Sequence, residues 1–302
     1  MKSPHAIVQP WLLSHPVPSA SINKLPVMVN ACTGKMGKAV IETAEINGLY
    51  VVPVSFSSEG RCGGDTYLTY PLSGKEFLVF GPSSNRKKIL KTIFHHFPDL
   101  IVVDFTVPSA VNANAELYSK VRVPFVMGTN GGNRDMLFTN ARDSDVYALI
   151  SPQMNKKIAA FCGAVIMVAE KFPESFSGYS LSAVESRPAI DVGVSETTKC
   201  LIPSFKKLMG VDFDVDKVKS VRDPKSQREA IGVPEKHLSA HACRSFTLLS
   251  PDLTAKFQFQ HFVYGTSEYA EGAAAAVHYL HSKVYLRDAK KVYTFFDALL
   301  RH

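Results

Sequence analysis

The stretch V-M-V-N-A-C-T-G-K-M-G-K, residues 27–38, joins a short run of apolar residues to a glycine-containing loop and then to a segment of helical period. At such a strand-to-helix turn, glycines let the backbone approach a pyrophosphate, whose charge is stabilised by amide groups and by the positive end of the helix. Written as G-x-x-G-x-x-G, the loop keeps Gly34 and Gly37 but carries Ala31 at the first position. The methyl group of Ala31 is tolerable only if the backbone there does not need a positive φ.

The loop has two interpretations: it binds a dinucleotide, or it only connects a strand to a helix. A domain that selects NAD usually carries an Asp or Glu about 20 residues further on, where it binds the ribose hydroxyls. Here the next predicted strand runs into Ser55–Ser58, with Glu59 and Arg61 just beyond. That end suits a 2′-phosphate better, so the sequence favours NADP over NAD as a cofactor, and Ala31 leaves the affinity an open question.

Short β-rich runs alternate with helical segments from about residue 25 to residue 150, which is the pattern of a parallel α/β sheet. The predicted strands are 27–30, 50–56, 77–80, 100–105, 124–127 and 146–150. The predicted helices between them are 35–47, 84–96, 109–120 and 133–142. We therefore expect a doubly wound domain of the nucleotide-binding type.

The rhythm changes after residue 152. A predicted helix at 156–171 is followed by a strand at 179–185 and a helix near 196–209. Apolar and polar side chains alternate in 246–264 on either side of a turn at 250–252, which predicts an antiparallel pair of strands. Helices at 267–283 and 289–299 close the chain, so the second half is predicted to contain an α+β domain.

The composition excludes several classes of protein. With 302 residues, 46% of them hydrophobic and 20% charged, and a mean hydropathy of +0.01, the chain suits a globular protein of about two domains. No apolar run approaches the roughly 18 residues of a membrane span. Five scattered cysteines without a C-x-x-C pair argue against a disulfide framework or a zinc ribbon. His237 and His241 have H-x-x-x-H spacing but lack a third ligand, so no metal is expected.

The net charge of +7 does not indicate nucleic-acid binding, because the first 41 residues hold four lysines and no Asp or Glu. The clearest basic cluster, Arg86, Lys87, Lys88 and Lys91, lies on a predicted helix and is typical of a solvated helix face. The acid-free residues 1–26 contain Ser and Pro, as organelle transit peptides do, although they contain no arginine. An ordinary tail is the alternative for this segment.

Five motifs together carry a resemblance to a known family. They are V-M-V-N-A-C-T-G-K-M-G-K-A-V (27–40), D-F-T-V-P-S-A-V-N-A-N (104–114), M-G-T-N-G-G (127–132), S-P-Q-M-N-K (151–156) and Y-A-E-G (269–272). In this order the chain resembles the plant-type branch of 4-hydroxy-tetrahydrodipicolinate reductase, a lysine-biosynthetic family also called dihydrodipicolinate reductase. The resemblance implies a Rossmann-type domain at 27–152 and 266–302, an inserted α+β substrate and oligomerisation domain at 153–265, and a homotetramer.

The resemblance also implies a cofactor site, from a pyrophosphate loop through a Phe-Thr pair on the nicotinamide side to a last loop. The matching positions are Ala31, Gly34, Lys35, Met36, Gly37, Phe105, Thr106, Gly128, Thr129, Asn130, Gln153 and Met154. In the family's G-T-T-G turn, the second Thr is replaced by Asn130.

The sequence departs from the family in its chemical motif, E-x-H-x-x-x-K-x-D-x-S-G-T. That motif supplies a general-acid His, a substrate-binding Lys and an S-G-T cradle for a substrate carboxylate. The corresponding segment 185–197 reads E-S-R-P-A-I-D-V-G-V-S-E-T, with Arg187 at the His position and Asp191 at the Lys position. The remnant of the cradle is Ser195, Glu196 and Thr197.

These replacements predict loss of the family's reaction, and no catalytic residue remains intact. An arginine cannot deliver a proton near neutral pH, so an acid contribution of typically about 10²–10⁴-fold is lost. Asp191 and Glu196 each place a negative charge where a dicarboxylate would bind, which costs roughly 4 kcal/mol at about 4 Å. Two other interpretations of Arg187 are an exposed ion pair with Asp191 and a new anion-binding role.

We therefore expect a catalytically disabled relative. Among plants it resembles the dihydrodipicolinate-reductase-like chlororespiratory-reduction factors, which are required for accumulation of the chloroplast NAD(P)H dehydrogenase-like complex. That resemblance implies a location in the chloroplast stroma, with subunits or assembly intermediates of the complex as partners. The alternative is an NAD(P)H-dependent reductase, either of lysine biosynthesis or of another substrate.

Overall fold

The computed structural model describes residues 5–14, 23–58, 67–83, 85–129, 131–151 and 153–299. Its helices are α1 (His5–Ser14), α2 (Lys35–Ile46), α3 (Arg86–His96), α4 (Val111–Val121), α5 (Arg134–Asp143), α6 (Lys156–Lys171), α7 (Glu196–Met209), α8 (Pro224–Glu229), α9 (Ser267–Tyr285) and α10 (Phe295–Leu299). Its strands are β1 (Pro26–Asn30), β2 (Tyr50–Val51), β3 (Val54–Phe56), β4 (Tyr67–Leu72), β5 (Lys75–Phe80), β6 (Ile101–Asp104), β7 (Phe125–Met127), β8 (Ala148–Ile150), β9 (Ser180–Ser186), β10 (Lys219–Val221), β11 (His241–Leu249), β12 (Lys256–Tyr264) and β13 (Val292–Tyr293).

The described residues form two compact units. The first comprises the residues up to Lys156 and from Ser267 onward, and the second comprises Lys157–Thr266. The boundary expected from the sequence, after residue 152, lies four residues before the one in the structure, after Lys156. All of α6 except its first residue belongs to the second unit. None of the helices in the described ranges is long and apolar enough to cross a membrane.

A six-stranded sheet with the order β13-β8-β7-β6-β1-β2 forms the centre of the first unit. Every neighbouring pair is parallel, which confirms the predicted doubly wound sheet. The apolar side chains of β1 and β6 are buried, as expected where helices cover both faces of a parallel sheet. The strand order changes direction between β1 and β6, and ligands of such folds bind at the carboxyl ends of the strands at this point.

Two predicted elements were wrong in detail. The strand expected at 50–56 is divided at Pro53, which has no amide hydrogen for a sheet: β2 pairs with β1, whereas β3 pairs with β5. The helix expected at 289–299 begins as β13, which pairs with β8 at the edge of the sheet. Burial of Tyr293 outweighs the helical period there, and only Phe295–Leu299 is helical.

The first helix lies inside the segment predicted to be a tail or a transit peptide. It packs against α3, and its Val8 and Leu12 are buried in the core of the first unit. An unstructured tail therefore does not describe residues 5–14.

The second unit contains a four-stranded sheet with the order β10-β9-β11-β12. The strands β11 and β12 are antiparallel, as the alternation in 246–264 predicts. The ring of Phe205 on α7 stacks on Phe246 with the centroids 4.5 Å apart, so α7 covers one sheet face. Cross-strand partners share a face, and Arg244 is the partner of both Glu185 and His261. Three polar side chains thus lie in a row across this sheet.

Candidate functional site

The predicted phosphate loop is a tight turn between β1 and α2. The amide of Ala31 donates to the Phe56 carbonyl at 2.8 Å, and the amide of Gly34 donates to the Ala31 carbonyl at 2.9 Å. A Cβ atom on Gly37 would lie 2.1 Å from the Ala31 oxygen, so only glycine lets α2 approach the loop this closely. Ala31 has a φ of +59°, a left-handed conformation that costs an L-residue about 1 kcal/mol. The sequence allowed an alanine at this position only if the backbone did not need a positive φ, and the structure shows that it takes one.

The N-terminus of α2 is suited to an anion. Asn133 and Ser195 cap α5 and α7 with their side chains, whereas α2 follows Gly34 and has no side-chain cap among the described residues. Gly34 and Lys35 are exposed and Met36 is partly buried. The first amides of a helix are available to an external acceptor when no side chain occupies them. The loop therefore fits the pyrophosphate of a dinucleotide.

A buried arginine connects the carboxyl ends of β3 and β5, next to residues 55–58, the end that the sequence predicts for a 2′-phosphate. Arg86 was predicted to be part of a solvated helix face, and this was wrong: it is 8% exposed, and only the lysines at 87, 88 and 91 face solvent. Its Nε donates to the Gly81 carbonyl at 2.9 Å, and its Nη2 donates to the carbonyls of Phe80, at 3.1 Å, and Ser57. Its guanidinium lies over the Phe56 ring, 4.9 Å from the centroid.

On the expected nicotinamide side, the buried Asp104 at the end of β6 organises the next loop. One of its carboxylate oxygens accepts from the amide of Thr106 at 2.9 Å and from the Thr106 hydroxyl at 2.6 Å. The amide of Gly128 donates to the Asp104 carbonyl at 3.0 Å, and the Thr129 hydroxyl donates to the Thr106 carbonyl at 3.2 Å. Phe105, which lies between Asp104 and Thr106 in the sequence, is partly buried. Asn130 lies outside the described residues.

The last predicted cofactor loop follows β8. The Ser151 hydroxyl donates to the Gln153 carbonyl at 2.8 Å, and the Gln153 side chain accepts from the amide of Asn155 at 2.9 Å. Met154 is buried, and a Cβ atom on Gly272 would lie 1.4 Å from its carbonyl oxygen. The Y-A-E-G motif on α9 therefore packs directly on this loop.

In the second unit, the fully buried Glu185 on β9 is the centre of a polar cluster. Its Oε2 accepts from the hydroxyls of Ser195 and Thr198, the latter at 2.5 Å. Its Oε1 lies 3.0 Å from Arg187 Nε and 2.9 Å from Arg222 Nη2. The guanidinium of Arg244 completes the cluster, with its Nε 3.4 Å from Glu185 Oε2.

Each of the three guanidinium nitrogens of Arg187 donates to an acceptor of its own chain. Beyond Glu185, its Nη1 donates to Asp191 Oδ2 at 3.2 Å and its Nη2 donates to the Gly193 carbonyl at 2.9 Å. The Arg187 side chain is 14% exposed and that of Asp191 is 37% exposed. The ion pair suggested by the sequence is present, but it is mostly buried and includes Glu185. This geometry leaves Arg187 little capacity to bind an external anion.

The three residues that the resemblance matches to the S-G-T cradle lie at the start of α7, with Ser195 just before its first residue. Ser195 caps this helix, with its hydroxyl oxygen accepting from the amide of Thr198 at 3.2 Å. Glu196 forms an ion pair with Lys199 at 3.0 Å. Thr197 is partly buried in the first turn. Ser195 is thus committed to Glu185 and to its own helix.

Two groups of the cluster have strongly shifted pKa values. Burial disfavours the charged form of Glu185, but the hydrogen bonds from Ser195 and Thr198 and the charge of Arg244 outweigh it and lower its pKa to about 2. Burial and the charge of Arg244 lower the pKa of His261 to about 3. Arg244 donates to His261 Nε2 at 3.0 Å, so Nε2 carries no proton. Near neutral pH, Glu185 is ionised and His261 is neutral.

Comparisons with known proteins decide the family. Residues 25–154 match the family model described as "Dihydrodipicolinate reductase, N-terminus". The chain is 49% identical to 4-hydroxy-tetrahydrodipicolinate reductase 2, chloroplastic, of Arabidopsis thaliana over 277 residues. This match covers 92% of this chain and 78% of the relative. It is 46% identical over 274 residues to the probable 4-hydroxy-tetrahydrodipicolinate reductase 2, chloroplastic, of Oryza sativa subsp. japonica, covering 91% and 82%.

The chain belongs to the dihydrodipicolinate reductase family, in its plant-type branch. A solved structure of this family, the dipicolinate-bound enzyme from Paenisporosarcina sp. TG-14, matches with a TM-score of 0.61 at 14% identity, covering 92% of this chain and all of that one. At that identity the likeness shows the fold alone.

Sequence reasoning missed several residues that the dihydrodipicolinate reductase fold brings together here. They are Asn30, Arg86, Asp104, Asn114 and Tyr118 in the first unit, and Thr198, Arg222, Arg244 and His261 in the second. The two histidines with H-x-x-x-H spacing, for which no metal was expected, contact other residues: His241 lies 2.9 Å from the Ser186 hydroxyl, and His237 stacks on Tyr264.

Proposed function

We propose that this family member does not reduce dihydrodipicolinate and instead supports assembly or stabilisation of the chloroplast NAD(P)H dehydrogenase-like complex. The observation that carries this proposal is the state of Arg187, which stands where the resemblance puts the general acid. Its guanidinium is held by Glu185, Asp191 and the Gly193 carbonyl.

The proton needed by a reductase has no evident donor in the described part of this cluster. Hydride transfer to an unsaturated substrate must be completed by a proton, and a well-placed acid contributes about 10²–10⁴-fold to the rate. An arginine side chain is not a useful general acid near neutral pH. Glu185 is ionised above about pH 2, and His261 has already lost its proton above about pH 3. His241 hydrogen-bonds Ser186, whose side chain points to the opposite face of β9 from Glu185.

The charges of the segment 185–197 also support the proposal that a dicarboxylate substrate no longer binds. The family's substrate Lys corresponds to Asp191, and its cradle glycine corresponds to Glu196. Both carboxylates are already paired within the chain, with Arg187 and Lys199. A substrate carboxylate would meet two like charges there, and it would have to displace internal partners to reach a cation.

The first unit retains features for a nicotinamide nucleotide, and we propose that it binds one, with NADP favoured over NAD. The amides at residues 35–37 would hold the pyrophosphate, and Phe105 and Thr106 would lie on the nicotinamide side. The nucleotide would supply a hydride when bound. The strain at Ala31, about 1 kcal/mol, is already present in the loop without a ligand, so it is expected to lower the stability of the loop rather than the affinity for the nucleotide.

The proposed location is the chloroplast stroma. The plant relatives that cover most of this chain are named chloroplastic. We propose subunits or assembly intermediates of the NAD(P)H dehydrogenase-like complex as partners, with a homotetramer as the form of the chain itself.

Affinity isolation from chloroplast stroma tests the proposal. We expect the tagged chain to retain subunits of the NAD(P)H dehydrogenase-like complex, and a plant reductase carrying the same tag not to retain them. In plants that lack the chain, an Arg187→Ala variant that accumulates normally should restore the complex, because the proposed role needs no proton transfer. Isolation without any such subunit, or normal complex levels without the chain, would contradict the proposal.

The second candidate is a reductase, which the 49% identity over 92% of the chain favours. Its discriminating variant combines Arg187→His, Asp191→Lys and Glu196→Gly, which restores the family's motif at three positions. Reduction of dihydrodipicolinate only by the restored variant supports the proposed loss of chemistry. If the unaltered chain reduces dihydrodipicolinate at a measurable rate, equal to that of the restored variant, the reductase is supported.

A further inference from the structure

A buried tyrosine connects the two strand ends that flank the proposed nucleotide site. Tyr118 on α4 is fully buried, and its hydroxyl accepts from Asn30 Nδ2 at 2.7 Å and donates to Asp104 Oδ2. Asn30 and Asp104 are paired residues at the carboxyl ends of β1 and β6. Burial and the Asp104 carboxylate raise the pKa of Tyr118 well above its ordinary value, so the phenol remains a donor.

Each end of this connection holds a different loop. On one side, Asn30 Oδ1 accepts from the amide of Phe56 at 2.8 Å, and the Phe56 carbonyl accepts from the amide of Ala31 in the phosphate loop. On the other side, Asp104 Oδ1 accepts from the amide and the hydroxyl of Thr106. One hydroxyl group is thus shared between the phosphate-loop side and the nicotinamide side of the proposed site.

A second branch closes the network on the ribose side. Asn114 Nδ2 donates to Asp104 Oδ2 at 2.9 Å, and Asn114 Oδ1 lies 3.5 Å from Arg86 Nη1. Arg86 in turn donates to the carbonyls of Phe80 and Ser57. Tyr118 therefore adds a side-chain connection between the two loops to the backbone pairing of β1 with β6, whereas Arg86 reaches Asp104 only through Asn114.

We propose that the Tyr118 hydroxyl is a positioning group, which fixes the spacing between the phosphate loop and the Phe105–Thr106 loop so that both ends of one dinucleotide bind together. This inference rests on the proposed nucleotide binding. A ligand that engages two subsites gains affinity from the second only when their geometry suits simultaneous contact. A loosened connection should then weaken the complete dinucleotide more than a fragment that touches one end.

The test compares NADPH with 2′,5′-ADP, which lacks the nicotinamide half. Dissociation constants are measured by calorimetry on the full chain and on Tyr118→Phe. We expect NADPH to bind at least about tenfold more weakly to the variant, while 2′,5′-ADP changes by less than about twofold. The matched control is Tyr147→Phe, which removes a phenol that also has two hydrogen-bond partners but lies at a different edge of the sheet. It should change neither constant.

The ratio of the two constants separates positioning from a merely structural role. If Tyr118→Phe only lowers the melting temperature, or weakens both ligands equally, the positioning role is overturned while nucleotide binding stands. If the unaltered chain binds neither ligand, the proposed nucleotide binding and this inference both fail. Should Tyr118→Phe not fold, Asn30→Ala breaks the same connection by removing the side-chain donor to the Tyr118 hydroxyl. It must produce the same selective loss of NADPH, or the inference is wrong.

Discussion

Arg187 Nε and Glu185 Oε1 form a buried ion pair 3.0 Å apart at the carboxyl end of β9. Glu185 lies on the strand and Arg187 is the first residue after it, so the chain leaves β9 with the guanidinium against the Glu185 carboxylate. Arg222 and Arg244 approach the same carboxylate. The position expected for a proton donor is instead part of a cluster in which three guanidinium groups surround one buried carboxylate.

Removing this arginine should destabilise the second unit. Glu185 is fully buried and loses one of three cationic partners in Arg187→Ala, so we expect the free energy of unfolding to fall by about 1–3 kcal/mol. The control is Lys199→Met, which breaks the partly exposed pair with Glu196 and should cost less than about 1 kcal/mol. Urea denaturation measures both, and equal losses would argue against a buried cluster.

The cluster also predicts an acid-sensitive stability. The pKa of Glu185 is about 2 in the folded chain and about 4.5 ordinarily, so its ionisation stabilises the folded state above about pH 4.5. This contribution, of order 3 kcal/mol, is lost as the pH falls from about 4.5 to about 2. The unfolding free energies of the unaltered chain and of Glu185→Gln should therefore differ more at pH 6 than at pH 3. A difference that grows on acidification would have the wrong sign.

Replacing Ala31 with glycine should stabilise the folded chain. Its φ of +59° is strained for alanine and free for glycine, which outweighs the extra entropy of a glycine in the unfolded chain. We expect Ala31→Gly to raise the free energy of unfolding by about 0.5–1 kcal/mol. The same change at Ala39 within α2 should instead lower it by about 1 kcal/mol. Destabilisation by both changes would show that the loop does not need the left-handed conformation.

The two glycines of the phosphate loop should respond differently to alanine. In Gly37→Ala the new Cβ atom would lie 2.1 Å from the Ala31 oxygen, whereas in Gly34→Ala it would lie at 3.3 Å. We expect Gly37→Ala to lower the free energy of unfolding by about 1–3 kcal/mol, despite the better helix propensity of alanine. Gly34→Ala should cost less than half as much. Thermal denaturation with and without NADPH compares them, and equal tolerance would contradict the close approach of α2.

The elements with strong local patterns could be predicted from the sequence. The strand at 27–30 and the helix at 35–47 follow from valine content and helical period, and the structure places them at Pro26–Asn30 and Lys35–Ile46. The turn at 250–252 likewise predicts the pair β11 and β12. The short β13 was missed because pairing with β8, not its own two residues, makes it a strand.

The polar clusters could not be derived in the same way, because their members are far apart in the chain. Arg222 and His261 reach the Glu185 cluster only through the second unit's fold. A signal was nevertheless present: Arg86 shares its helix face with Ile89 and Ile93, which are buried. A charged residue at an apolar position of a periodic element indicates a buried network.

The proposed loss of reductase activity is tested most directly by the rate of NADPH oxidation. The purified chain is given freshly generated dihydrodipicolinate, and an active plant reductase serves as the control. Because Arg187 cannot act as an acid and Asp191 and Glu196 oppose a dicarboxylate, we expect a rate more than about 100-fold below the control. Parallel calorimetry with NADPH shows whether the cofactor is bound. A rate within about 100-fold of the control would contradict the proposal and assign the chain to reduction of dihydrodipicolinate.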